Sequence, residues 1–163
     1  MDQQQFLEVL TQSWRAFDEA IAGLDDAALT EPGVVGDWSI KDLLGHMAAW
    51  EQQAIAHIEQ WLGDERITSI VGPAVDQFNA AEVERRRKWS LAEAREEHAA
   101  TRQRLLVALN SLPKVAWTSV VQLDSGRRTL GEIVAGDLSG DGPADHAAEH
   151  ARHVVAWRKA RGL

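Results

Sequence analysis

His46, His146 and His150 are the residues of this 163-residue chain whose types and spacing could do chemistry. His146 and His150 stand four apart, which stacks two imidazoles about one turn apart on one helical face. His46 lies in the run Trp38 to Glu51, between Leu43, Leu44 and Met47, so its face turns inward, where an unpaired imidazole is costly. Ala147 and Ala151 beside the pair leave room for an ion. Three nitrogens drawn from two helices can hold one divalent cation and leave positions open for water or substrate, whereas a closed four-ligand site would only brace the scaffold. A metal so held lowers the pKa of a water or thiol and makes a nucleophile at neutral pH.

The other histidines fit this site less well. His57 is eleven residues past His46, about three turns along the same face, too far to share the ion. His98 can contribute only from a third helix and has no paired partner, while His153 is the substitute if His146 points away. Glu51, Asp145 and Glu149 are candidates for a general acid or base by proximity. The plain alternative is that His46 is a helix histidine hydrogen-bonded in the core and that His146 and His150 are a partly exposed pair on an Ala-rich helix.

Composition narrows the classes. With 17 Lys and Arg against 25 Asp and Glu, the net charge of −8 argues against nucleic acid as the main partner. The basic run Glu84 to Lys88 sits among acidic residues and reads as a solvated helix face. There is no cysteine, so disulfides, thiolate metal sites and a cysteine nucleophile are excluded. The N-terminus lacks the basic and apolar regions of a secretory signal, and no stretch approaches the ~20 apolar residues that span a bilayer. These features point to a cytoplasmic protein folded as a single domain over 1–163, with no membrane partner. Seven tryptophans and no tyrosine are unusual, and an indole N–H needs a partner when buried. Trp38, Trp50, Trp61 and Trp157 are therefore candidate walls of a substrate pocket.

The elements that position these groups are helical. Phe6, Leu10, Trp14, Phe17, Ile21 and Leu24 recur at three and four residues, predicting a helix from about Gln3 to Leu24. Ser39 with Asp42 forms a capping-box signature for a second helix that runs to Leu62 and stops at Gly63. A connector of some 27 residues follows, broken at Val71-Gly72-Pro73, with a helix of its own at about Val75–Lys88. Ser90 and Glu93 open the third long helix, which Pro113 ends. The stretch Ala116 to Leu123 leans toward β structure before the Asp124-Ser125-Gly126 turn, as a hairpin or an extended arm. A short helical piece at Thr129 to Gly136 precedes a last helix from about Pro143 to Arg161, with Pro143 in the first turn. Four long helices make a four-helix bundle, and the long connector can carry the chain back along a whole helix, placing helices 2 and 3 parallel.

Trp38-Ser39-Ile40-Lys41-Asp42-Leu43-Leu44, with His46 following, resembles the second-helix signature of the DinB-like superfamily of bacterial helical bundles. Asp145 to Arg158 is similar to that superfamily's last helix, with the histidine pair in the expected place, and Asp76 to Asn79 and Trp89 to Leu91 resemble its ClbS/DfsB-type branch. The resemblance implies an all-α four-helix bundle in up-down-down-up order, frequently a homodimer. It further implies a divalent metal, nickel or zinc, at the positions matching His46, His146 and His150. Relatives of this kind include thiol-dependent transferases and isomerases, and a self-protection branch that hydrolyses a DNA-damaging metabolite. Two departures stand out: Leu138–Ala144 interrupts the approach to the last helix, and the self-protection branch need not keep the histidines, so its hydrolase chemistry does not carry over through the metal.

Three functions follow as alternatives. One is a metal-dependent hydrolase or low-molecular-weight-thiol transferase acting on a small electrophilic metabolite in a detoxification role. The second is a small-molecule trap without turnover, its metal site vestigial. The third is a bundle that dimerises and uses its histidines only as internal polar groups.

Overall fold

The computed structural model describes residues 1–163 and is predominantly helical. Its long helices are α1 (Gln3–Ile21), α3 (Ile40–Leu62), α5 (Leu91–Ser111) and α8 (His146–Arg161), with α4 (Pro73–Arg86) in the long connector. Shorter pieces are α2 (Asp26–Thr30), α6 (Lys114–Trp117) and α7 (Leu130–Asp137), and strands β1 (Val120–Leu123) and β2 (Gly126–Thr129) form the only sheet.

Local chemistry starts these helices where expected. Asp2, Ser39, Ser90 and Thr129 each accept a hydrogen bond from the backbone of the third residue of their helix, and the side chains of Gln5, Asp42, Glu93 and Glu132 in turn accept from the cap residue's N–H. Each box satisfies two backbone donors that the first turn leaves orphaned. Of the β-leaning stretch, Ala116 and Trp117 belong to helix α6 instead, and Val120–Leu123 forms a hairpin rather than an extended arm, with Val120 opposite Thr129 and Leu123 opposite Gly126.

Helix order follows from cross-helix pairs. Along α3, Lys41 donates to the Arg87 and Trp89 carbonyls, Gln52 to Glu97 and Thr101, and Glu59 meets Arg104. Partner numbers rise together, so α3 and α5 run parallel, and α4 carries the chain back between them. In the same way Ser13 meets Ala148 and the Ala20 carbonyl meets Arg158, so α1 and α8 are parallel. Gln3 reaches the Leu109 carbonyl while Asp18 pairs with Arg102, so α1 and α5 are antiparallel. The bundle is up-down-down-up, and its core is built from residues such as Phe6, Phe17, Leu43, Met47, Leu105 and Val154.

The helix limits differ from the sequence reading most at α1 and α8, and α4 lies two residues earlier at each end than the expected Val75–Lys88. α1 stops at Ile21 rather than Leu24, because Gly23 turns the chain with φ 77°. α8 starts at His146, not near Pro143. Ala144 is left-handed with φ 62°, and Asp145 does not cap the helix with its side chain. Its carboxylate instead accepts the Gly140 and Gly142 amides at 2.9 Å each, folding 138–145 into a compact turn. That turn delivers His146, whose amide donates to the Leu138 carbonyl. No helix is long and apolar enough to cross a membrane.

Candidate metal centre

α3 and α8 bring His46, His146 and His150 together. One nitrogen from each lies within 4.8 Å of the other two. His146 Nε2 stands 3.0 Å from His46 Nε2 and 3.1 Å from His150 Nε2. The rings meet at 4.8–5.1 Å between centroids, His46 edge-on to both others. Trp38, just before the Ser39 cap of α3, lies against His46 in the second turn of that helix, with 5.0 Å between ring centroids, and adds an aromatic wall beside the candidate ligand.

Protons satisfy this cluster poorly. A neutral imidazole nitrogen carries either one hydrogen or one lone pair, yet His146 Nε2 faces two ring nitrogens at hydrogen-bond distance. It can serve one of them well and not both. A cation accepting three lone pairs fits the donor set without that conflict. His46 Nδ1 is buried with no partner. Burial, reinforced by the neighbouring histidines, pushes all three rings down to a pKa of about 3, which keeps them in the neutral form that a metal requires.

The cluster opens into a cleft of about 560 Å³. Trp38, Trp50 and Ile133 contribute apolar surface, and Asn79, Arg128, Asp137, Glu149 and His153 contribute polar groups. Trp50 is fixed by donating its indole N–H to Asn79 at 2.9 Å and by packing at a tilt against Phe78, 4.7 Å between ring centroids. Trp61 and Trp157 do not line this cleft. Trp157 is buried near the opposite end of α8 under the Arg161 guanidinium, and Trp61 packs at the far end of α3, several turns from His46.

Of the three acid–base candidates, only Glu149 lines the cleft. Asp145 is occupied in the turn. Glu51 is buried behind His146, in a small cavity with Trp14 and Met47, where desolvation pushes its carboxyl up to about 8 against the opposing charge of Arg102. His98 is buried elsewhere in the core, 6.4 Å from the Phe17 ring, and burial lowers it to about 3.

A second constellation escaped the sequence reading. His57 is fully buried and donates from Nδ1 to Asp137 Oδ2 at 2.7 Å, while its Nε2 lies 3.1 Å from the Thr68 carbonyl and 2.9 Å from the Gln53 amide. The Gln53 atom facing Nε2 is its amide nitrogen, a donor, whereas the Thr68 carbonyl can only accept, so a protonated Nε2 serves Thr68 and a bare one serves Gln53. Burial opposes the charge, but the Asp137 hydrogen bond and charge and the Thr68 carbonyl together raise the His57 pKa. Asp137 ends α7 and lines the cleft, its Oδ1 free of this pair. The residues are 80 positions apart in sequence, and no local motif links them.

Residues 9–136 match a family profile, that of the DinB superfamily; the span includes His46 but ends before His146 and His150. No curated protein matches the chain. Among solved structures, a mutant of mycothiol-dependent maleylpyruvate isomerase is similar at TM-score 0.74 and 15% identity, covering 94% of this chain and 61% of that one. The sibling lethal factor precursor DfsB is similar at TM-score 0.76 and 11% identity, covering 99% of this chain and 97% of its own. ClbS, a colibactin self-resistance protein solved with double-stranded DNA, gives TM-score 0.69 and 9% identity over 99% and 96%. At these identities the likeness is one of fold, and the chain spans about three fifths of the isomerase's length.

Proposed function

As the chain belongs to the DinB superfamily, we propose that it is a metal-dependent enzyme that transfers a low-molecular-weight thiol to, or hydrolyses, a small electrophilic metabolite. The observation that carries this reading is the convergence of three imidazole nitrogens beside one cleft, on the buried His46 and His150 and the half-buried His146. When bound, a divalent ion such as nickel or zinc supplies Lewis acidity that makes a water or thiol nucleophilic near neutral pH. His46, His146 and His150 would hold it. Trp38 and Trp50 offer apolar surface to the substrate and limit water in the cleft.

Asp137 is the proton acceptor in this reading, in place of Glu51 or Asp145. His57 holds Oδ2 from behind and favours the ionised carboxylate, against a burial that raises the Asp137 pKa overall and suits it to take up a proton. A proton leaving the nucleophile would pass to Asp137 Oδ1. Glu149 is the alternative acceptor on the opposite helix.

The thiol branch draws support from the similarity to an isomerase whose name includes mycothiol. ClbS is described with double-stranded DNA, but a net charge of −8 disfavours phosphate binding here, so the partner in this proposal is a small molecule. The reading also makes the protein a cytoplasmic homodimer with a role in detoxification. Light scattering giving the 18.0 kDa mass of one chain at micromolar concentration would exclude the dimer.

The test is metal analysis of untagged protein, followed by turnover of thiol–electrophile pairs with and without chelator. Stoichiometric metal and chelator-sensitive turnover are expected. Bound metal without turnover across a broad panel would favour the small-molecule trap, and absence of metal after zinc or nickel reconstitution would remove the enzyme reading.

A further inference from the structure

His153 lies one turn beyond His150 on α8, half-buried, and lines the same cleft. Its Nδ1 stands 3.4 Å from His150 Nδ1, with the rings 5.6 Å apart between centroids. His150 therefore serves two neighbours with its two nitrogens. Its Nε2 faces His146 at 3.1 Å inside the cluster, and its Nδ1 faces His153 outside it. His46 has no such support, since its Nδ1 is buried without a partner.

Two arrangements of protons are open to this contact. If His153 donated, His150 Nδ1 would accept, and a neutral His150 would then carry its proton on Nε2. That tautomer points an N–H into the cluster and removes the lone pair a cation needs. If His150 donates from Nδ1, its Nε2 is a lone pair aimed at His46 and His146, and His153 must accept at Nδ1 and carry its own proton on Nε2. Only the second arrangement is compatible with three ligating nitrogens.

We propose that His153 is a positioning residue of the metal centre: by accepting the His150 Nδ1–H it locks the tautomer and ring orientation in which His150 Nε2 can bind a cation. This rests on the metal reading above and adds a residue to it. Outer partners of this kind typically govern roughly 10- to 100-fold in metal affinity.

The experiment titrates untagged, metal-free protein with Zn²⁺ by competition against a chromophoric chelator, and with Co²⁺ to read the ligand-field spectrum. The parent, His153→Ala and His153→Asn are compared, because asparagine places its Oδ1 near where the Nδ1 acceptor stood. His153→Ala should bind Zn²⁺ roughly 10- to 100-fold more weakly with an unchanged Co²⁺ band position, and His153→Asn should recover most of the loss. Unchanged affinity in His153→Ala overturns the proposal. So does a shifted Co²⁺ band, which would make His153 a direct ligand. If the parent takes up neither ion, the metal reading itself fails, and ¹⁵N NMR of the metal-free imidazoles decides the remaining point. Protons on His150 Nδ1 and His153 Nε2 support the hydrogen bond as assigned; the reverse pattern overturns it.

Discussion

His150 is the ligand with the least room to be replaced, because both of its nitrogens are engaged and it is buried between His146 and His153. His150→Ala is expected to abolish stoichiometric Zn²⁺ binding in a chelator-competition titration, while His98→Ala leaves it nearly intact, since His98 sits in the core beside Phe17. Equal losses in both variants would mean that metal uptake is not governed by the cluster. His57→Ala separates stability from ligation. It leaves the buried Asp137 carboxylate without its partner, which typically costs roughly 3–5 kcal/mol when one half of a buried pair is removed. The expected outcome is a large drop in urea midpoint with Zn²⁺ affinity per folded molecule unchanged. A destabilisation below about 1 kcal/mol would show that the pair is solvated rather than buried as the geometry has it.

At the scale of elements, α7 contains its own comparison. A Cβ at Gly131 would lie 2.5–2.8 Å from the Trp117 ring, and that ring is fixed by Phe6 at 4.9 Å and by its N–H bond to the Met1 carbonyl. A Cβ at Gly136 meets nothing closer than the Arg128 guanidinium at 4.0 Å. Gly131→Ala should therefore destabilise by about 1–3 kcal/mol through overpacking, whereas Gly136→Ala should be neutral or stabilise by up to about 1 kcal/mol through helix propensity. Thermal melts of the two variants check this, and equal melting temperatures would contradict the packing of α6 on α7. Elements of this kind were legible in the sequence to different degrees. The capping boxes at Ser39 and Ser90 and the stop at Gly63 are local chemistry, and they mark α3 and α5 closely. The start of α8 was not legible, because it depends on Asp145 binding two glycine amides in a turn rather than on propensity at Pro143. The histidine spacing on α8 and the inward face of α3 announced the three rings, whereas Asp137 and His57 meet only through the tertiary packing of α7 on α3. Trp61 and Trp157 lie off the cleft for a related reason: tryptophan count says that indoles need partners, not which end of a long helix holds the cleft.

Across the whole molecule, the buried ionisable groups set an unusual dependence of stability on pH. His46, His98, His146 and His150 fold with pKa values of about 3, against an ordinary value of 6.5. Between those values the unfolded chain binds protons that the folded chain does not, so stability falls as pH drops below 6.5. Each group contributes up to about 1.4 kcal/mol per pH unit, and a domain holds only about 5–15 kcal/mol in total. Four such groups can exhaust that reserve within a few pH units. Glu51 acts with the opposite sign. Its folded pKa of about 8 lies above the ordinary 4.5, so the folded state holds an extra proton and stability declines as pH rises from 4.5 to 8. The raised pKa of His57 acts in the same direction above 6.5, because the charged pair with Asp137 is lost as the ring deprotonates. Metal-free protein should therefore be most stable near pH 6.5, unfold cooperatively on acidification to around pH 5 or below, and weaken moderately toward pH 8. Saturating Zn²⁺ should move the acid transition to lower pH, because the metal binds only the folded, unprotonated cluster. Urea midpoints measured from pH 4 to 9 would test this, with Glu51→Gln flattening the alkaline decline. A midpoint independent of pH between 4.5 and 6.5 would mean that the histidine cluster is protonated and solvated in the folded state, and with it would go the ground for a preformed metal centre.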